Sequence, residues 1–413
     1  LTQVGVRTEQ TRDNDGMSEP APRPVGFDRP VYLDHHSTTP CAPEVRDAMW
    51  PYFGERFGNP SAINHARGRA AAERVAQARS RIAALLGTGP EAVVLTAGAS
   101  EANNLAIIGA ARRAPAGRDE IAISAIEHPS VRAAAERMRE NGFRVVELPV
   151  TADGFVDPEA AATHLSARTA LVSVMAANHE IGAIQPIAAM AVAAHRVGAL
   201  FHSDATQAVG KIPLDMDRDG VDLLSLSGHK FYGPPGIGAL LVRQQPPVAL
   251  DPIILGGGQN HGLRSGTVPL ALAVGLAEAC DLAARRMAED AERLDDLCRR
   301  LLTALRNAGL DVAVNGSLQR RLPGSLNLRF RGVDAADLLL DLADDLCLAT
   351  GSACASGASA PSRVLKAIGL SDEDCAASIR LSLGRASGEA EVDYAAERLA
   401  WAVAQYRPLL HQG

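Results

Sequence analysis

From about residue 44 onward, short apolar runs and helical patterns take turns along the chain. Residues 65–86 set Ala70, Val75, Ala78, Ile82 and Leu85 at helical spacing. Val93-Val94-Leu95 reads as a buried strand, an apolar helix follows from Glu101, and Glu120-Ile121-Ala122-Ile123-Ser124 reads as the next strand. Such alternation predicts the α/β class: a mainly parallel sheet flanked by helices. Ligands of these sheets bind at strand ends, so the polar residues that close apolar runs are the ones that matter.

Two of them stand out. Val197-Gly198-Ala199-Leu200 leads into Phe201-His202-Ser203-Asp204, and Ser225-Leu226-Ser227-Gly228-His229-Lys230 ends in a lysine before a glycine-rich turn. A lysine whose pKa is lowered can form a Schiff base with an aldehyde, and a buried carboxylate can keep a pyridinium nitrogen protonated. Singly, each has an ordinary explanation: a solvated loop lysine, a turn or cap aspartate. In this order, each closing an apolar segment, they form the pair that a pyridoxal phosphate site requires. Thr96-Ala97-Gly98-Ala99-Ser100, between strand and helix, would point backbone N–H groups and the helix dipole at an anion; an ordinary capped turn is the competing explanation. The chain has no Gly-x-Gly-x-x-Gly fingerprint and no phosphate-loop lysine there, which disfavours a dinucleotide or a nucleoside triphosphate.

With 413 residues, 47% of them hydrophobic, the chain can bury a large core and is expected to form one large and one small domain. Long helical patterns over 272–309 set the junction near 275. Strand signals at 311–314 and 326–330 and helices at 334–343 and 389–405 make the second part α+β. The expected division is a flexible extension over 1–28, a segment 29–45, a large domain 46–275 and a small domain 276–413. Residues 1–16, ahead of Met17, are expected to be dispensable. The net charge of -7 gives no basic bias, so nucleic acid is not an indicated partner. No apolar run approaches the ~18 residues that span a bilayer. The six cysteines, at 41, 280, 298, 347, 354 and 375, show neither Cys-x-x-Cys nor zinc spacing, so they read as reduced thiols with no metal. Cytoplasmic residence is the expectation.

Further motifs run in order along the chain: Tyr32-Leu33-Asp34-His35-His36-Ser37-Thr38-Thr39-Pro40, Phe57-Gly58-Asn59-Pro60-Ser61, Glu127-His128, Asn178-His179-Glu180-Ile181-Gly182, Arg264-Ser265-Gly266-Thr267, Gly351-Ser352-Ala353-Cys354 and Ser378-Ile379-Arg380-Leu381-Ser382-Leu383-Gly384-Arg385. With the two segments above, this ordered set resembles the cysteine desulfurases of the class V aminotransferase group of pyridoxal-phosphate enzymes. The resemblance implies fold type I, a homodimer, and packing of residues near 30–45 on the small domain. It also implies conversion of L-cysteine to L-alanine, with the sulfur passing through an enzyme persulfide to an acceptor protein, such as an iron-sulfur scaffold or a thiolation protein.

The same resemblance assigns roles. Lys230 carries the cofactor and moves protons. His128 stacks on its ring and also moves protons, where a satisfied structural histidine is the plain alternative. Asp204 faces the ring nitrogen and Gln207 the phenolic oxygen. Ser100, Ser227 and His229 hold phosphate, with Thr267 donated from the second subunit, and Ala99 and Asn178 are also cofactor-binding. Arg380, on the face opposite Ile379 and Leu381 of an alternating strand, grips the substrate carboxylate, with Asn178 also at the substrate. Many members carry two asparagines before Glu-Ile-Gly; here the second is His179, so either His179 supplies the contact to the ring oxygen or that contact is rearranged. Cys354 lies among small residues from 350 to 361, which read as a mobile loop, and as a thiolate it can attack the substrate sulfur. Cys280 and Cys298 suit a core on helical patterns, and Cys347 within Leu346-Cys347-Leu348 is also expected in the core. An aminotransferase or selenocysteine lyase on the same fold is disfavoured by Cys354, and a non-catalytic interaction scaffold by the joint presence of Lys230, Asp204, His128, Cys354 and Arg380.

Overall fold

The computed structural model describes residues 30–351 and 361–410, with side chains of the last helix to Tyr406. A two-residue strand, β1 (Val31–Tyr32), opens the described chain. The next strands are β2 (Val93–Thr96), β3 (Glu120–Ser124), β4 (Arg144–Leu148), β5 (Thr169–Ser173), β6 (Leu200–Asp204), β7 (Leu223–Ser227) and β8 (Gly238–Val242). They form one sheet in the order β2-β8-β7-β6-β5-β3-β4. The pairs among β4, β3, β5, β6 and β7 are parallel, whereas β8 runs antiparallel to both β2 and β7. Every residue of β3, β5, β6 and β7 except Leu200 is buried, as expected of parallel strands covered on both faces.

The helices between them are α1 (Pro43–Met49), α2 (Ala66–Leu85), α3 (Ala99–Arg112), α4 (Pro129–Glu140), α5 (Pro158–Ala162), α6 (Ile187–Arg196) and α7 (Leu270–Asn307). Side chains alternate across the sheet. Leu224, Leu226 and Leu241 pack with Val75, Ile82, Met190 and Leu276 on one face. Leu223, Leu240, Ile121 and Ile123 pack with Leu105, Ile107 and Val131 on the other. The apolar stretch ahead of Asp204 is not all strand: Gly198, at φ +74°, ends α6, and the strand begins at Leu200. α3 begins at Ala99 rather than Glu101, directly after Gly98.

The remaining chain holds β9 (Val312–Val314), β10 (Ser325–Phe330), α8 (Ala335–Asp341), β11 (Leu346–Cys347), α9 (Arg363–Ala367), α10 (Asp372–Ala376), β12 (Ser378–Ser382) and α11 (Glu389–Leu410). An antiparallel sheet in the order β12-β10-β9 packs Leu326, Leu328, Ile379 and Leu381 against Leu297, Leu301 and Leu399. The junction expected near 275 falls inside α7, a single 38-residue helix. The first half of α7 belongs to the core under the large sheet; Leu294 to Leu305 belong to the second core. β1 pairs in parallel with β11, and Val31 and Leu33 join that second core. Cys280 and Cys298 are buried in the two cores, but Cys347 is only half-buried, because it lies in a two-strand pair. No helix among the described residues is long and apolar enough to cross a membrane.

Candidate active site

The C-terminal ends of β5, β6 and β7 open on a cavity of about 560 Å³. Asp204 is the last residue of β6, and Lys230 closes the short turn after β7. Gly233 folds back to bond its N–H to the Gly228 carbonyl at 2.9 Å, and a Cβ on it would meet that oxygen at 2.8 Å, so only glycine fits there. Lys230 Nζ donates to the His36 carbonyl at 2.6 Å and the Ser37 carbonyl at 2.7 Å. Both carbonyls belong to the N-terminal segment.

Asp204 is buried and doubly held: Oδ2 accepts from Asn103 Nδ2 at 2.8 Å, and Oδ1 from the Thr206 N–H at 3.0 Å. Behind it, His202 is fixed between Ser173 Oγ at 2.8 Å and Ser225 Oγ at 3.0 Å. Burial brings His202 down to about 4 although Asp204 pulls the other way, so this imidazole is neutral near pH 7.

His128 caps α4. Its Nδ1 accepts from the Ser130 N–H at 3.2 Å, which puts the proton of the neutral ring on Nε2. Burial lowers its pKa, Asp204 opposes this and Lys230 adds to it. The ring stands edge-on to His179, centroids 5.4 Å apart. His179 is buried, and neither ring nitrogen has a hydrogen-bond partner among the described residues. Burial first, then His128, Arg380 and Lys230, keep its pKa well below the ordinary value.

Asn178 does not join the cavity wall. Its Oδ1 accepts from the Glu180 and Ile181 N–H groups at 2.8 and 3.0 Å, and Nδ2 donates to the Ile126 carbonyl at 3.0 Å. The carboxamide is spent on its own turn, and His179 is the one turned to the cavity.

Arg380 lies mid-β12, opposite the apolar face made by Ile379 and Leu381, and reaches the cavity from the second sheet. Its Nη2 donates to Asp34 Oδ1 at 2.7 Å and Ser37 Oγ at 2.8 Å, and Nη1 to the His179 carbonyl at 3.1 Å. Arg385 is instead taken up by Asp290 at 2.8 Å and the Tyr232 ring.

The N-terminus of α3 brings Gly98, Ala99 and Ser100 to one wall, facing Ser227 and His229. Burial, then Lys230 and Lys211, lower His229 to about 4. Gln207 also lines the cavity. Thr267 is exposed and outside it. Cys354 lies outside the described residues. The described residues on either side converge on Glu180, which accepts from Ser362 Oγ at 2.5 Å and stands 3.4 Å from where a Cβ on Gly351 would be.

Several site residues escaped the sequence reading. His36 and Ser37 line the cavity, although their motif suggested only a packing segment. Glu127 accepts from Ser124 Oγ at 2.6 Å and the Met175 N–H at 2.7 Å, and burial raises its pKa to about 8. Its place beside His128 was the available signal. Lys211 had none. Among the described residues, no group of three or more His, Cys, Asp or Glu could hold a metal ion.

Residues 31–395 match the family model described as Aminotransferase class-V. A probable mitochondrial cysteine desulfurase of Dictyostelium discoideum is 42% identical over 375 residues, 91% of this chain and 83% of that protein. Among solved structures, a NifS-like protein superposes with a TM-score of 0.85 at 31% identity, covering 91% of this chain and all of that one. A structure described as SspA in complex with cysteine gives 0.75 at 34% identity, over 85% of this chain and 98% of that one.

Proposed function

Because this chain belongs to the class V aminotransferases, a pyridoxal-phosphate-dependent family, and within them to the cysteine desulfurases, we propose that it takes sulfur from L-cysteine onto Cys354 and leaves L-alanine. The observation that carries this reading is the meeting of Lys230, Asp204, His128 and Arg380, remote in sequence, around one cavity.

Pyridoxal phosphate offers an aldehyde, a basic ring nitrogen, a phenolic oxygen and a phosphate, and the wall has a partner for each. Lys230 supplies the amine, Asp204 the carboxylate for the ring nitrogen, and Gln207 and His179 donors for the phenolic oxygen. Ala99 and Ser100 at the start of a 14-residue helix, with Ser227 and His229, suit the phosphate. The ring nitrogens of His179 and Oγ1 of Thr206, without partners among the described residues, are costly to bury alone and fit an arriving polar group. When bound, the protonated ring draws electron density from the substrate α-carbon.

The residues divide the remaining work. Arg380 holds the α-carboxylate of cysteine by charge-assisted hydrogen bonds. Lys230 Nζ takes the α-proton and returns it, and His128, with Nδ1 engaged, moves protons at Nε2. Cys354, as thiolate, forms the S–S bond to the substrate sulfur while the C–S bond breaks; the carbon keeps the electron pair and is protonated to give alanine. The persulfide then passes to an acceptor protein of iron-sulfur cluster assembly or thiolation. A homodimer completes the site with Thr267 of a second copy; the exposed Trp50, Phe53, Phe57 and Leu255 favour an interface of this kind. Protein loaded with pyridoxal phosphate should release alanine and sulfide in equal amounts from L-cysteine with a thiol reductant present. Alanine without sulfide would overturn the reading.

A further inference from the structure

Lys211 is not part of the cavity wall, yet it ends against it. It follows Gln207 by four residues, and its ammonium donates to Gln207 Oε1 at 2.8 Å, its hydrogen-bond acceptor among the described residues. Gln207 Nε2 donates to the His36 carbonyl at 2.9 Å, and that same carbonyl receives Lys230 Nζ at 2.6 Å. Among the described residues, the groups that couple to Lys211 include Lys230, Arg380, His35, His36 and His229. Burial, then repulsion from Lys230 and Arg380, brings Lys211 down to about 7. A half-buried lysine facing the cations Lys230 and Arg380 is stabilised when a negative group comes to it.

A primary amide accepts at its oxygen and donates at its nitrogen, whereas an ammonium only donates and a carbonyl only accepts. Held between Lys211 and the His36 carbonyl, Gln207 has one workable orientation: oxygen to the lysine, nitrogen to the carbonyl and the cavity. We propose that Lys211 is a positioning residue for the cofactor ring: by holding Gln207 Oε1 it keeps Nε2 directed as a donor to the phenolic oxygen, and its charge complements that oxygen in deprotonated form. The proposal rests on the pyridoxal-phosphate reading above.

The test is a pH titration of the visible absorption of the pyridoxal-phosphate-loaded protein, for wild type, Lys211→Met, Gln207→Leu and the double variant. Loss of a neighbouring positive charge should move the midpoint up by about 1 pH unit or more in Lys211→Met. Gln207→Leu should move it the same way, and the double variant no further than the larger single effect. Lys211→Gln, which offers a donor without the charge, serves if methionine is not tolerated. An unmoved midpoint in either folded Lys211 variant, or two shifts that add in full, overturns the proposal. Wild-type protein that takes up no pyridoxal phosphate would instead sink the cofactor reading itself, so the two failures are distinguishable.

Discussion

Asp34 and Arg380 lie 346 residues apart in the chain and 2.7 Å apart in space. The guanidinium is almost wholly buried, so the N-terminal segment supplies the counter-charge for the arginine proposed to hold the substrate. Arg380→Ala should therefore do two separable things. Loss of the substrate contact should cost on the order of 1.5–3 kcal/mol, read as a higher KM for L-cysteine. Stranding Asp34 should lower the Tm, and Asp34→Asn in the same protein should restore much of the Tm without restoring KM. A folded Arg380→Ala with wild-type KM removes the substrate role.

Lys230 is expected to be the attachment point of the cofactor. Borohydride treatment of the loaded protein, followed by peptide mass mapping, should find the added mass on the peptide containing Lys230, and Lys230→Ala should abolish it. Mapping to another lysine would reassign the site. Asp204→Ala should retain some cofactor and lose most turnover.

Cys354→Ala should keep the cofactor colour and bind L-cysteine, because Lys230, Asp204 and Arg380 are untouched. It should make little alanine or sulfide. Wild-type protein alkylated after exposure to cysteine, without reductant, should carry one extra sulfur on the Cys354 peptide. A persulfide found only on Cys347 or Cys375 would defeat this assignment.

Glu127 makes a pH prediction. Its carboxyl ionises near 4.5 when unfolded and near 8 when folded, burial being the main cause. The folded state thus holds a proton that the unfolded state has lost, so this group's stabilisation is full below about 4.5 and drains as pH rises toward 8. Glu127→Gln mimics the protonated form. Its Tm relative to wild type should rise between pH 5 and pH 8; a constant difference across that range would mean that Glu127 is already ionised in the fold.

The alternation of strands and helices was legible because parallel strands buried on both faces leave short apolar runs, as in Ala170-Leu171-Val172 of β5. Asp204 and Lys230 were legible for the same reason: each is a polar residue placed just where such a run ends. The antiparallel β8 was not, since pairing direction leaves no mark on a short apolar run. The carbonyls of His36 and Ser37 escaped because backbone acceptors have no side-chain signature. Asn178 looked like a ligand, but an asparagine can equally satisfy its own turn, and only the fold distinguishes the two. Lys211 is indistinguishable from a solvated lysine until the fold sets its ammonium against Gln207.

The 38-residue span of α7 has a mechanical consequence. From Ala284 to Arg293 it buries no residue, and on either side of that stretch it is rooted in a different core. That stretch is tied to the segment just past β12, since Asp290 accepts from Arg385 and Arg293 donates to the Arg385 and Ser387 carbonyls, so α7 is a braced shaft about 57 Å long. The strand that carries Arg380 is thereby braced to a helix whose first half is rooted under the sheet that carries Lys230, by residues that line no part of the cavity.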